Sequence, residues 1–349
     1  MKGRVVLLDH LEGRAAAALM VDGALQDVLI DAPDGMAPGV GAIAWGVVSR
    51  RFGGQGGAIL NLGDGREGYL RRAKDMQPGD ALWVQVSGVA EPGKAIPVSE
   101  NLIFKSRYAI VTPFAPGLNV SRAIRDDEER DRLLEIAADS RANSDEYGLI
   151  LRSAAAGVDA DAIYDDIYAM CKTATMVVEQ RDGPPEWLLD AEDAHALAWR
   201  DWSEPDPDEV IQQDGCFADH GVLDAVEAVL AARQPLAGGG HAYVETTRAL
   251  VAIDVNTGAD HSFAAGLKAN LALVRDLPRI LRIKGLGGQI TLDMAPMPKK
   301  ERRKVEDAVK KAFRQDGSDV VVAGWTPLGM LELTRKRDRH PLARIWPSA

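Results

Sequence analysis

Asp254, Asn256 and Asp293 carry the most chemistry in this chain. In AIDVN an apolar run reaches Asp254, and Asn256 follows two positions later. In ITLDM a second apolar run ends on Asp293. A right-handed helical crossover between the two runs would make them strands of one sheet with their C-terminal ends together. That edge is where open α/β sheets form ligand sites. Two carboxylates brought together repel each other unless a cation lies between them or one is protonated. An all-oxygen donor set suits magnesium, which keeps several of its waters. Such an ion can make a bound water more acidic and neutralise charge on a phosphodiester. An aspartate at a strand end is also commonly a turn or a helix cap, and spacing alone leaves both readings open.

The elements that must position these residues follow PLAGGG at 235–240, which reads as a hinge. HAYVETTRALVAIDVNTG holds two strand-like runs joined at a Thr–Thr turn. A mostly helical stretch from about 262 to 284 comes next, with Pro278 expected to interrupt it. LGGQITLDMAPM reads as another strand. KKERRKVEDAVKKAFRQD then places Val305, Ala308, Val309, Ala312 and Phe313 at helical spacing, with its charges on the opposite face. DVVVAGW is a further strand, so the C-terminal part is expected to be a layered α/β unit. Upstream, 1–36 reads as short strands, and 37–100 is Gly-rich with regularly spaced apolar runs, the pattern of a small all-β barrel. Helices are expected at about 126–142 and 158–181, with a strand-like YGLILRS between them that ends at Arg152 and Ser153. An acidic stretch at 182–220 contains Trp187, Trp199 and Trp202, and the helical HGVLDAVEAVLAAR follows.

The 349 residues suffice for two or three domains, and 46% hydrophobic with 27% charged residues excludes whole-chain disorder. No apolar run approaches the length that spans a bilayer, and MKGRVVLLDHLEG lacks the core of a signal peptide. Cys171 and Cys216 lie far apart, so neither a disulfide framework nor a zinc ribbon is expected, and the natural compartment is the cytoplasm. Net charge is −11. Its distribution is uneven: residues 275–349 carry 17 Lys and Arg against 9 Asp and Glu. A basic segment on an acidic body could meet a polyanion locally, although KKERRK and TRKRDRH could equally be solvated faces.

GGGHAYVETTRALVAIDVNTG, GLGGQITLDM and PLGMLELTRKR stand in the order and approximate spacing of the catalytic core of bacterial ribonucleases E and G. The chain resembles that family most specifically over residues 236–337. The resemblance implies a DNase I-like subdomain in which Asp254 and Asp293 are metal ligands and both act with Asn256 in catalysis. Residues 37–105 resemble the family's S1-type OB-fold, where GYL would supply Tyr69 to stack on RNA bases. Ile59 occupies the second aromatic position, which implies a reduced platform. GLILRS resembles the family's pocket for a substrate 5′-monophosphate, with Arg152 and Ser153 as the phosphate contacts. The family's CPxC zinc link and small C-terminal domain are not found, and Ala272 stands where an acidic residue is common.

The implied fold class is mixed α/β (α+β). Its expected parts are a trimmed RNase H-like subdomain from 1–36 plus 185–235, the OB-fold at 37–105, a 5′-sensor-like region at 106–184 and the DNase I-like subdomain at 236–349. The implied function is a magnesium-dependent endoribonuclease, with manganese as an alternative ion. It would hydrolyse single-stranded RNA to 5′-phosphate and 3′-hydroxyl ends, and Lys299, Arg335 and Arg337 would hold the RNA backbone. No zinc, no membrane and a monomer without a zinc-bridged partner are expected. The alternative is an RNA-binding protein on the same scaffold that has lost cleavage. A non-RNA α/β binding module remains if the resemblance is accidental.

Overall fold

A computed structural model describes residues 2–53, 56–73, 75–140, 147–180 and 182–347. It divides into two compact units, one formed by 1–33 with 208–349 and the other by 34–207. The fold is mixed α/β, as expected. No helix among the described residues is long and apolar enough to cross a membrane.

The first unit contains two sheets. Arg4–Leu11, Arg14–Val21 and Ala24–Ile30 form an antiparallel meander, and Glu209–Gln212 adds to its first strand in parallel. The second sheet runs Arg233–Pro235, His241–Thr246, Val251–Asn256, Gly288–Asp293, Leu331–Arg335, Val320–Trp325. Only its two central strands, Val251–Asn256 and Gly288–Asp293, are parallel neighbours, and helix Phe263–Ile283 lies between them in sequence. Alternation decides which face is covered. Val251, Ile253, Val255, Ile290, Leu292, Leu331 and Leu333 are buried in one core with Leu273, Leu277 and Leu281 of that helix and with Val305, Val309 and Phe313 of helix Arg302–Asp316. The residues between them face away from the helices, and a slip of one residue would invert the whole set.

Two expectations give way here. Pro278 does not interrupt its helix: Phe263–Ile283 is continuous, and Leu277, Pro278, Ile280 and Leu281 are all buried in it. Packing on both sides of the proline outweighs the backbone hydrogen bond it removes. PLAGGG is a hairpin turn rather than a hinge, closed by the Leu236 N–H donating to the Gly240 carbonyl at 2.9 Å. Strand Arg233–Pro235 therefore belongs to the same sheet as His241–Thr246, and a boundary at 235/236 would cut that sheet.

In the second unit, Ile43–Arg51, Ala58–Asn61, Glu67–Leu70, Ile96–Ser99 and Ala81–Val86 pair in that order, and the last pairs back onto the first. This closed five-stranded barrel is consistent with an OB-like fold. Strand Glu186–Leu189 joins the barrel through Ile43–Arg51, so residues 185–207 group with the barrel unit rather than with 1–36. The other sheet runs Gly117–Val120, Gly148–Leu151, Ala109–Thr112, Phe104–Lys105. It shares a core with helices Asp127–Ser140 and Ala160–Glu179, the latter capped by Asp159. The last residues of the helix expected at 126–142 lie outside the described residues.

Candidate functional site

Asp254 and Asp293 are directly opposite each other on the parallel strands. Both are exposed, on the face of the sheet that the helices leave open. Neighbouring strands run about 4.8 Å apart, so the two carboxylates start from adjacent points of one row. Asn256, two positions along the same strand, is on the same face. Its Nδ2 donates to Asp254 Oδ2 at 2.9 Å, which leaves the amide oxygen for another partner. The strand on the other side places Tyr243 opposite Asp254 and His241 opposite Asn256.

Two close approaches fix these strand ends. A Cβ on Gly240 would lie 2.6 Å from the Asn256 carbonyl oxygen, so the hairpin turn packs tightly on the Asn256 backbone only because residue 240 is glycine. The loop after Asp293 is held by Asn270, a fully buried residue of helix Phe263–Ile283. Asn270 Nδ2 donates to the Ala295 carbonyl at 2.9 Å, and Asn270 Oδ1 accepts the Ala295 N–H at 2.9 Å. One turn earlier, Gly266 leaves room for the Pro296 carbonyl. Sequence reasoning missed Asn270. Its signal was a polar residue in helical register with Gly266, Leu273 and Leu277, on what becomes the buried face.

The electrostatics of the pair suit a hard divalent cation. Neither carboxylate forms an ion pair with a described residue, and the single hydrogen bond to Asp254 comes from a neutral amide. Among the described residues no group of three or more His, Cys, Asp or Glu could hold a metal. The donors here are therefore two carboxylates and an amide oxygen, an incomplete oxygen set of the kind magnesium completes with water.

The basic residues expected near this site are dispersed. Lys299 is exposed, in the 3-10 turn Lys299–Glu301 that follows the Asp293 loop. Arg335 is 3% exposed and donates to the Leu286 carbonyl at 2.9 Å and to Asp338 at 3.3 Å. It lies on the helix-covered face of the sheet, so the expected grip on RNA does not fall to it. Arg337 is half-buried, with its guanidinium in the space a side chain at Gly288 would need. Helix Arg302–Asp316 exposes Arg303, Lys304, Lys310, Lys311 and Arg314. It packs on the sheet face opposite to the Asp254–Asp293 row.

The remaining expected residues are in the barrel unit. Tyr69 is half-buried, and its cross-strand partner Ile59 is 4% exposed, on the strand face opposite to the barrel-core residues Ala58 and Leu60. Sequence reasoning missed Phe52, which is 39% exposed and meets Tyr69 edge-on with ring centroids 6.1 Å apart. The Arg50 guanidinium carbon is 5.9 Å from the Phe52 ring centre. The alternation of Arg50 and Phe52, which puts both on one side of an extended segment, was the available signal.

Arg152 is consumed by its own fold. It donates to the carbonyls of Ser106, Arg107 and Arg200, and to Asp201 Oδ1 at 2.9 Å. Lys105 and Arg200 also bind Asp201, at 2.8 and 2.7 Å. Burial pushes the Asp201 carboxyl up, but Arg200 and Lys105 outweigh it and hold the group well below the usual carboxylate range. Burial lowers Lys105 and raises Glu192 in the same cluster. Ser153, half-buried, opens a short 3-10 turn.

The matches to known proteins coincide with this geometry. The family model described as "Ribonuclease E/G family" matches residues 104–215 and 209–338, a span that holds Arg152, Ser153, Asp254, Asn256 and Asp293. The chain belongs to the ribonuclease E/G family. It is 25% identical to Ribonuclease G of Salmonella typhimurium (strain SL1344) over 406 aligned residues, covering 97% of this chain and 81% of that one. It is 25% identical to Ribonuclease E of Nostoc sp. (strain PCC 7120) over 362 residues, covering 88% of this chain and 52% of that one. A shorter stretch of 126 residues is 38% identical to the chloroplastic Ribonuclease E/G-like protein of Arabidopsis thaliana, covering 34% of this chain and 12% of that one.

Proposed function

We propose that this chain is an endoribonuclease that uses a divalent metal to hydrolyse single-stranded RNA, leaving 5′-phosphate and 3′-hydroxyl ends. Names of the relatives support the RNA-cleaving class. The observation that carries the metal chemistry is the in-register Asp254–Asp293 pair, unneutralised by protein and beside Asn256. Asp254 and Asp293 would hold magnesium, or manganese in its place. When bound, the ion supplies charge neutralisation at the phosphodiester and a more acidic water.

The chain's own residues do the rest. Asn256 fixes the rotamer of Asp254 through its N–H and offers its oxygen to the ion or to a water. Asn270 holds the backbone that follows Asp293, so the pair keeps its spacing as substrate arrives. Tyr69 and Phe52 offer aromatic surface to bases on the barrel, and the Arg50 cation sits close by. In this reading the barrel is the S1-type domain, the six-stranded sheet with its helices is the DNase I-like part, and the protein works as a cytoplasmic monomer without zinc.

The test is incubation of a 3′-labelled single-stranded RNA oligomer with magnesium, with manganese and with chelator, followed by analysis of the product ends. Metal-dependent cleavage leaving 5′-phosphate is expected. A salt-sensitive mobility shift without cleavage would replace this reading with an RNA-binding protein on the same scaffold.

A further inference from the structure

The open face of the sheet carries an aromatic pair with no part in the site as described so far. His241 and Tyr243 are on the strand next to Asp254, and the register sets Tyr243 opposite Asp254 and His241 opposite Asn256. Their rings meet edge-on, with centroids 5.4 Å apart and planes at 84°. Tyr243 is 37% exposed, while Ala242 and Val244 on either side of it are buried in the core. The strand is therefore anchored through its other face, and the tyrosine ring is not needed for that packing. Nor do its neighbours account for it, because Asp254 and Asp293 carry negative charge and the face of an aromatic ring is itself negative.

A single-stranded nucleotide fits this row. Strands about 4.8 Å apart put Tyr243 one position from Asp254 and two from Asp293, on the side of Asp254 away from its partner. A phosphate lying over the two carboxylates carries a nucleoside on either side, and one of these falls over Tyr243. His241 meets the ring with its plane nearly perpendicular, and a single such contact covers at most one face of the tyrosine, which leaves a face for the base. Such stacking is tolerant of base identity, because every base has a π-face. We propose that Tyr243, braced by His241, is a stacking subsite for the nucleobase flanking the scissile phosphate. The proposal rests on the endoribonuclease reading and adds a nucleoside-binding position to it.

The experiment measures kcat and KM for an RNA oligomer cut at one bond, together with a series in which a single abasic nucleotide is moved along that oligomer. Tyr243→Ala should reduce kcat/KM roughly 5- to 150-fold, and Tyr243→Phe, which keeps the ring, should recover most of that loss. Tyr243→Leu keeps apolar volume without a π-face and should behave like Ala. With wild-type protein, one abasic position next to the cleaved bond should cost a similar factor. With Tyr243→Ala that same position should cost nothing further. Far-UV circular dichroism and the thermal midpoint of each variant separate these effects from misfolding. An Ala variant within twofold of wild type, a Phe variant as slow as Ala, or additive losses would each overturn the subsite while leaving the nuclease reading intact. A wild-type protein that cuts no RNA with either metal would remove both.

Discussion

Asp9 and Asp254 sit in apolar strands of the same compact unit, and the fold uses them in opposite ways. Asp9, in Arg4–Leu11, is 1% exposed, and its carboxylate accepts the backbone N–H groups of His10, Gly215 and Phe217 at 2.7, 2.8 and 2.8 Å. It fastens the turn before the short helix Cys216–Asp219 to the first strand. Asp254 accepts one side-chain amide, and Asp293 faces it in register on an open surface. A carboxylate saturated by N–H donors has its charge committed to folding. A like-charged pair left to solvent costs stability wherever no cation screens it, and the sheet keeps it in place through the apolar residues on its other face. The residue type is the same in both places. What separates the two carboxylates is where their hydrogen bonds come from.

Substitution puts this contrast under its strongest strain at the pair itself. Asp254→Asn or Asp293→Asn removes a charge and little volume, and metal assistance is worth several kcal/mol. RNA cleavage should fall at least about a thousandfold while circular dichroism and the thermal midpoint hold or improve. Cleavage within tenfold of wild type in both variants would end the metal reading. Asp9→Ala should do the converse: it leaves N–H donors buried without an acceptor, so denaturant unfolding should show a loss of about 2–4 kcal/mol. The fraction still folded should cleave RNA within about threefold of wild type.

Lys284 sharpens the contrast from the cationic side. It is 6% exposed and donates to the carbonyls of Leu230 and Ala231 at 3.0 and 2.9 Å. Burial pushes its amine down to about 8, from 10.5 when exposed. Between those values the unfolded chain binds more protons than the folded one, so stability should rise as pH increases through that window. Unfolding free energies of wild type and Lys284→Met, compared from pH 7 to 10.5, should diverge in slope. Parallel curves would show that the amine is not buried as described.

The smallest effect is expected at the RNA 5′ end. Arg152 is already held by three carbonyls and Asp201. A 5′-monophosphate should therefore speed cleavage less than about threefold over a 5′-hydroxyl, far below what a charge-assisted contact expressed in full would give. A tenfold preference that Arg152→Ala abolishes would show that phosphate displaces Asp201.

Asp254, Asn256 and Asp293 were legible because strand periodicity and a helical crossover are local patterns that fix which ends meet and which side chains share a face. The core of helix Arg302–Asp316 was legible for the same reason: Val305, Val309 and Phe313 are the buried residues. What escaped depends on partners distant in sequence. Pro278 looked like a break because its lost hydrogen bond is local, whereas the packing that tolerates it is not. The glycines at 238–240 have a hinge's composition, and only the pairing of 233–235 with 241–243 makes them a turn. Asn270 reads as an ordinary helical residue until Ala295 is known to lie against it. Arg152 matched its motif in type and position, but Asp201 and the carbonyl of Arg200 decide what its donors are spent on. Phe52 gained meaning only from the hairpin that brings Tyr69 beside it.

The basic face of helix Arg302–Asp316 and the acidic pair lie on opposite sides of one sheet. A layer of packed structure about 10 Å thick, plus the helix itself, separates them. That separation exceeds the distance of about 8 Å over which physiological salt screens exposed charges. The field of Lys304, Lys311 and Arg314 is thus directed away from Asp254 and Asp293, and the helix does little to offset the negative charge of the pair.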